Sequence, residues 1–153
     1  MSESTATPTV SRTRRPSQVV ARVALAVYLV FLLLVVFWPT PVDRDAGDLI
    51  ERIVAFINRR GIESFRYSHL EWLANVALFA PFGFLLTFIV RRWWVAPLFG
   101  ILLSVGIELG QRVLLPERFA SPADVAANGI GAIVGAFFAL ALVGATRIAD
   151  RAP

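Results

Sequence analysis

Four apolar runs, each with few or no charges and several reaching about 18–22 residues, constrain this chain more than any other feature. That is the length a helix needs to span lipid. The sequence therefore predicts an all-α membrane protein, a bundle of four transmembrane helices at residues 19–38, 69–90, 94–115 and 122–146. Hydrophobic residues make up 57% of the 153-residue chain, well above a typical soluble domain, which agrees. One bundle uses all of this length and leaves no room for a second domain.

Residues 1–17 are rich in Ser, Thr, Pro and Arg and lack an apolar face, so they read as a disordered cytoplasmic tail. Arg12, Arg14 and Arg15 then precede the first apolar run, as in a signal peptide. No small-residue cleavage site follows, and the apolar core is longer than a signal's, so the run reads as an uncleaved first helix. Residues 18–147 form the membrane domain, and residues 148–153 a second cytoplasmic tail. Between the first two spans lies a charged connector, residues 43–67. Within it Leu49, Ile50, Ile53, Val54 and Ile57 share a helical face opposite Asp48, Glu51, Arg52 and Arg59. This connector helix is too short to span. It suits an amphipathic helix on the extracytoplasmic membrane surface, or equally one packed on the bundle.

The absence of cysteine excludes disulfides, cysteine metal sites and thiol nucleophiles. The net charge of +4 is not a nucleic-acid signal, because all the basic residues are Arg and most flank the apolar runs. Their placement sets orientation instead. The N-terminal tail, the Arg91-Arg92 turn and the tail after Arg147 fall on one side, with few carboxylates. Both termini are thus expected in the cytoplasm of a multi-pass plasma-membrane protein.

Against this apolar background Glu108 stands out. A carboxylate near a span's centre costs roughly 2.5 kcal/mol or more, and the late position in its helix opposes the macrodipole. Other polar residues lie at matched depth. At about 1.5 Å per residue from the Arg91 end, Asn75 and Glu71 sit roughly 24 and 30 Å up their helix. On the next helix Glu108 and Gln111 sit roughly 21 and 26 Å up, and on the last Asn128 and Asp124 roughly 28 and 35 Å. Each set also lies on one helical face: Glu71 with Asn75; Ser104, Glu108 and Gln111; Asp124, Asn128, Gly131 and Gly135. Turned inward, these stripes make a carboxylate- and amide-lined cup in the outer third of the bilayer. Gly131-x-x-x-Gly135 and Gly106-x-x-x-Gly110 would permit close helix approach. Pro81 interrupts its helix and frees the carbonyl of Ala77.

Plainer roles compete for each residue. Ser68-x-x-Glu71 and Ser121-Pro122-x-Asp124 have the form of helix-start capping boxes. Glu108 has Arg112 one turn on, a favourable ion-pair order. Asn75, Gln111 and Asn128 can serve as interhelical glue. Ser104 can bond its own i−4 carbonyl, and His69 can be a simple interfacial residue.

Taken in order, these residues resemble a known family. Asn75, Phe79, Pro81, Gly83 and Phe84 resemble the N-x-x-x-F-x-P-x-G-F helix of the VanZ-like family. Ser104, Glu108 and Gln111 resemble its S-x-x-x-E-x-x-Q helix. Arg118, Asp124, Asn128, Gly131 and Gly135 resemble its third segment, R-x-F-D-x-x-D-x-x-x-N-x-x-G-x-x-x-G, except that Ser121 stands where an acidic residue is usual. The likeness covers residues 68–142. It implies a cell-envelope membrane protein, since the founding member is associated with glycopeptide-antibiotic resistance. Kinship with membrane enzymes that modify lipid head groups is also implied. The resemblance points to a location and a substrate neighbourhood more than to a reaction.

Two functions follow. In the first, the cup is an intramembrane enzyme site acting on a lipid head group or lipid-linked envelope precursor. Glu108, Asp124 and Glu71 are then the catalytic candidates, supplying acid/base chemistry or holding a divalent cation such as Mg²⁺ or Ca²⁺. Asn75, Ser104, Gln111, Asn128 and His69 would position the substrate, and Arg112 and Arg118 would clamp its phosphate. In the second, the same cup binds a membrane lipid or partner protein without turnover. A purely structural role for the polar stripes is the third reading. A channel is disfavoured because the cytoplasmic halves of the last three spans are apolar.

Overall fold

Each apolar run becomes one continuous helix. The computed structural model describes residues 16–38, 47–62, 64–115 and 121–149, and all regular structure within them is helical. The elements are α1 (Pro16–Val36), α2 (Gly47–Arg59), α3 (Tyr67–Val90), α4 (Val95–Leu114) and α5 (Pro122–Ala149). Four of them, Gln18–Val36 of α1, Tyr67–Val90, Val95–Leu114 and Pro122–Thr146 of α5, are long and apolar enough to cross a membrane. The protein is a multi-pass membrane protein.

Several boundaries differ from the sequence reading for identifiable reasons. Helix α1 starts at Pro16, before the apolar run, since proline suits a first helical turn. Helix α3 starts at Tyr67, so Ser68 lies inside the helix and is not its cap. His69 takes the capping task instead. Its Nδ1 accepts the Arg66 backbone N–H at 3.0 Å, and its ring stacks on Phe65. Ser121 does act as expected: its Oγ accepts the Ala123 N–H at 3.2 Å, with Pro122 opening α5.

Helix α2 leaves none of its residues buried, and Leu49 and Phe56 are exposed. Its only extensive contact among the described elements is with α3. Asn58 fastens the following turn, donating to the Phe65 carbonyl and accepting the Phe65 N–H, each at 3.1 Å. The apolar face is divided: Leu49 and Ile53 are exposed, and Ile50, Val54 and Ile57 are half-buried.

Helix α3 is the hub. Its most extensive contact is with α5, and it also packs against α1 and α4. The reason is steric. A Cβ built on Gly135 would overlap the Ala80 carbonyl oxygen, one on Gly131 the Val76 carbonyl oxygen, and one on Gly83 the Ala132 backbone. Absent side chains let the two backbones touch, and close packing is what associates helices when lipid is as apolar as the side chains. The second glycine pair behaves differently: Gly110 faces Phe37, while a Cβ at Gly106 would meet nothing within 4 Å. Gly106 therefore contributes no close approach. Leu32, Phe79, Phe82, Ile107 and Ala132 form the buried apolar cluster where α1, α3, α4 and α5 meet.

Helix α1 is held by a polar latch that its sequence hides. The Tyr28 hydroxyl donates to the Leu78 carbonyl, in the turn before Pro81. Proline geometry alone points to the Ala77 carbonyl, so the acceptor lies one residue along, in the same proline-loosened turn. Tyr28→Phe should loosen α1 by about 0.6 kcal/mol and at most about 1.7, the range for interhelical hydrogen bonds in membranes. Thermal unfolding in detergent, compared with wild type, measures this, and an unchanged midpoint would show the latch to be idle.

Candidate functional site

Antiparallel packing places the start of α3, the end of α4 and the start of α5 at one end of the bundle. This is the end opposite the Arg91-Arg92 turn, where Arg91 in a left-handed conformation closes α3 with its N–H on the Thr87 carbonyl at 2.7 Å. The polar residues gather at that shared end in rungs spaced one helical turn apart.

The inner rung joins α4 to α5. Asn128 Nδ2 donates to Ser104 Oγ at 2.8 Å, and both residues are buried. Ser104 is therefore turned to a neighbouring helix, and not simply folded back on its own backbone. The next rung toward the open end holds Glu108 on α4 and Asp124 on α5, each one turn from its inner-rung residue. The two carboxylates are close enough to act on each other electrostatically. Helix α3 enters this rung through Asn75, whose Nδ2 donates to Asp124 Oδ1 at 2.9 Å. Three helices thus converge on Glu108, Asp124, Asn75, Asn128 and Ser104.

The remaining candidates sit around this group. Asp124 lies in the first turn of α5, where the helix dipole favours a carboxylate, so a helix-start role is compatible with its place beside Glu108. Glu71 is exposed one turn beyond Asn75 and, at the fifth position of α3, is not a capping residue. Arg112 acts electrostatically on Glu108 from the same helix. Gln111 points elsewhere: its Nε2 donates to the Val36 carbonyl of α1 at 2.7 Å, closing the last turn of that helix. His69 is a cap, as described above. Arg118 lies outside the described residues.

Two atoms of the site are buried without a hydrogen-bond partner, Glu108 Oε1 and Asn128 Oδ1. Leaving such atoms unpaired costs about 1–3 kcal/mol each, more when charged. The Arg112 pairing foreseen for Glu108 therefore does not satisfy this oxygen. Among the described residues, no three His, Asp or Glu side chains cluster closely enough to hold a metal ion. Mg²⁺ commonly takes only one or two carboxylates from protein, so the Glu108–Asp124 pair suits it better than Ca²⁺, which takes about 6–8 oxygen ligands.

The geometry matches the order of motifs in the chain, and a family model decides the kinship. The VanZ/LLP1 model matches residues 25–143, which include every residue of the two rungs. The chain belongs to the VanZ/LLP1 family. No curated protein and no solved structure matches it. In this VanZ/LLP1 protein the three motifs hold one site from three helices: Asn75 from the first, Ser104 and Glu108 from the second, Asp124 and Asn128 from the third. The motif glycines Gly83, Gly131 and Gly135 bring α3 against α5, and so put Asn75 within reach of Asp124.

Sequence reasoning missed two polar groups. Tyr28 is the first, although a lone tyrosine inside an apolar run is a usable signal. Thr87 is the second, buried at 2% exposure with an unpaired hydroxyl in the half of α3 expected to be wholly apolar.

Proposed function

We propose that this membrane protein acts on a lipid head group or lipid-linked envelope precursor, using the Glu108–Asp124 rung as its reacting centre. The observation that carries the reading is the approach of two carboxylates from different helices within a membrane-spanning bundle, one of them held by Asn75. Such an arrangement is costly, and bundle stability alone would be better served by apolar packing. Glu108 is the better proton carrier, with an oxygen that no protein donor occupies. Asp124, oriented by Asn75, sets the field around it. Arg112 and Arg118 are assigned to the substrate phosphate, a role suited to guanidinium groups. Glu71 would stand at the mouth.

In this reading the site lies under the outer leaflet of the plasma membrane, both termini are cytoplasmic, and activity would alter glycopeptide susceptibility by changing an envelope component. Arginine distribution and family membership support it.

The test is turnover. Purified protein in lipid is incubated with head-group and precursor substrates, and products are followed by mass spectrometry. Glu108→Gln keeps the shape and removes the proton carrier, so activity should fall about 10²-fold or more. Equal substrate-dependent turnover by variant and wild type would remove Glu108 from the chemistry. Saturable lipid binding with no turnover by either would favour a lipid- or partner-binding protein.

A further inference from the structure

The buried atoms of the site that have no hydrogen-bond partner at all are both acceptors. Asn75 directs its Nδ2 at Asp124, Asn128 directs its Nδ2 at Ser104, and Gln111 directs its Nε2 at the α1 backbone. What remains without a partner is a pair of acceptors, Glu108 Oε1 and Asn128 Oδ1, both buried. Asn128 as a whole is only 7% exposed. It lies one turn below Asp124 on the same face of α5 and is bonded to Ser104, one turn below Glu108. Its unpartnered oxygen therefore belongs to the rung next to the carboxylate pair.

We propose that this site takes a primary ammonium group, held between Glu108 Oε1 and Asn128 Oδ1. The inference rests on the reading of the site given above and names the chemistry that the site accepts. An ammonium offers three N–H donors and a positive charge. The donors match the orphan acceptors, and the charge offsets the repulsion between Glu108 and Asp124. A phosphate fails on both counts, since it brings acceptors and negative charge to a place that already has both. A quaternary ammonium supplies charge but no N–H, and so leaves the buried oxygens unpaired. Water satisfies the oxygens and leaves the two carboxylates opposed.

Depth is compatible. Glu108 lies six residues before the end of α4 at Leu114, roughly 9 Å below the helix end. An amine on a lipid head group reaches that far, as does a side-chain amine on an envelope precursor. With the ammonium at Glu108, the phosphate of the same molecule falls toward the open end, on the side of Arg112. A carboxylate that holds an ammonium is also placed to receive its proton, which ties binding to the acid–base role.

The experiment compares ligands that differ only in N–H content. Full-length protein in detergent is titrated by calorimetry with short-chain phosphatidylethanolamine and with phosphatidylcholine of the same acyl chains. Nα-acetyl-lysine methylamide and its trimethylated form make the second pair. A primary amine should bind at least tenfold tighter than its quaternary counterpart, and Glu108→Gln should erase that preference. Preference in the lipid pair assigns the amine to a head group, and preference confined to the lysine pair assigns it to a side chain. Either result supports the proposal. Equal affinity within both pairs for the wild-type protein overturns it, and needs no variant to fold. If preference is absent yet Glu108→Gln still abolishes turnover, only the ammonium falls. Preference with turnover unchanged in Glu108→Gln means that only the catalytic reading falls.

Discussion

Gly135→Val should leave little folded protein. A Cβ at this position would overlap the Ala80 carbonyl oxygen and stand 2.6 Å from the Phe84 nitrogen and 2.9 Å from the Ala80 carbonyl carbon. These are backbone atoms of a helix, so no rotamer change relieves them. The two helices must separate, and with them goes the most extensive contact in the bundle. Overpacking a core costs about 1–3 kcal/mol where side chains can shift, and the cost here lies at or beyond the upper end. Gly106→Val is the matched control, because its Cβ would meet nothing within 4 Å. Yield of monodisperse protein and the unfolding midpoint in detergent report the difference. Wild-type behaviour of Gly135→Val would mean that α3 and α5 are not in backbone contact.

Asp124→Asn separates function from stability. The side chain keeps its size and an oxygen for the Asn75 amide to donate to, so the α3–α5 bond at 2.9 Å can persist. The like charge facing Glu108 disappears, and a repulsion goes with it. The lost repulsion is set against the lost helix-dipole stabilisation, so the unfolding midpoint should stay near wild type, with the stability change within about 1 kcal/mol. Activity on the envelope substrate should fall about 10²-fold or more if the carboxylate takes part in proton transfer. Parallel loss of stability and activity would return the carboxylate pair to a structural role.

Much of this is legible in residue order, for physical reasons. Apolar runs of about 20 residues match a helix that spans lipid, and three of them joined by short turns must pack antiparallel. Matched depth then follows from the constant helical rise, which puts Asn75, Glu108 and Asp124 at one end of the bundle. Their shared helical faces follow from the 3.6-residue period. The spacing of Asp124 and Asn128 likewise reads directly as a two-rung face.

Periodicity says which residues share a face, but not which neighbour that face meets. Gln111 shares a stripe with Ser104 and Glu108, yet its amide closes α1 on the Val36 carbonyl. Gly106 and Gly131 both sit in glycine pairs, yet only Gly131 touches another backbone. His69 has the chemistry of a site residue, yet the start of α3 at Tyr67 makes it the cap. Each outcome depends on a helix's rotation and axial shift, and these are settled by which small residues let backbones meet.

Chain order thus dictated four membrane-crossing helices, their alternating direction and the height of every polar side chain, because apolar runs of about 20 residues match a helix that spans lipid and helix geometry has a constant rise. Packing alone assigned partners: Asn75 to Asp124, Asn128 to Ser104, and no protein donor to Glu108 Oε1. Hydrogen bonds act over about 3 Å, and a helix turned by one residue carries a side chain farther than that.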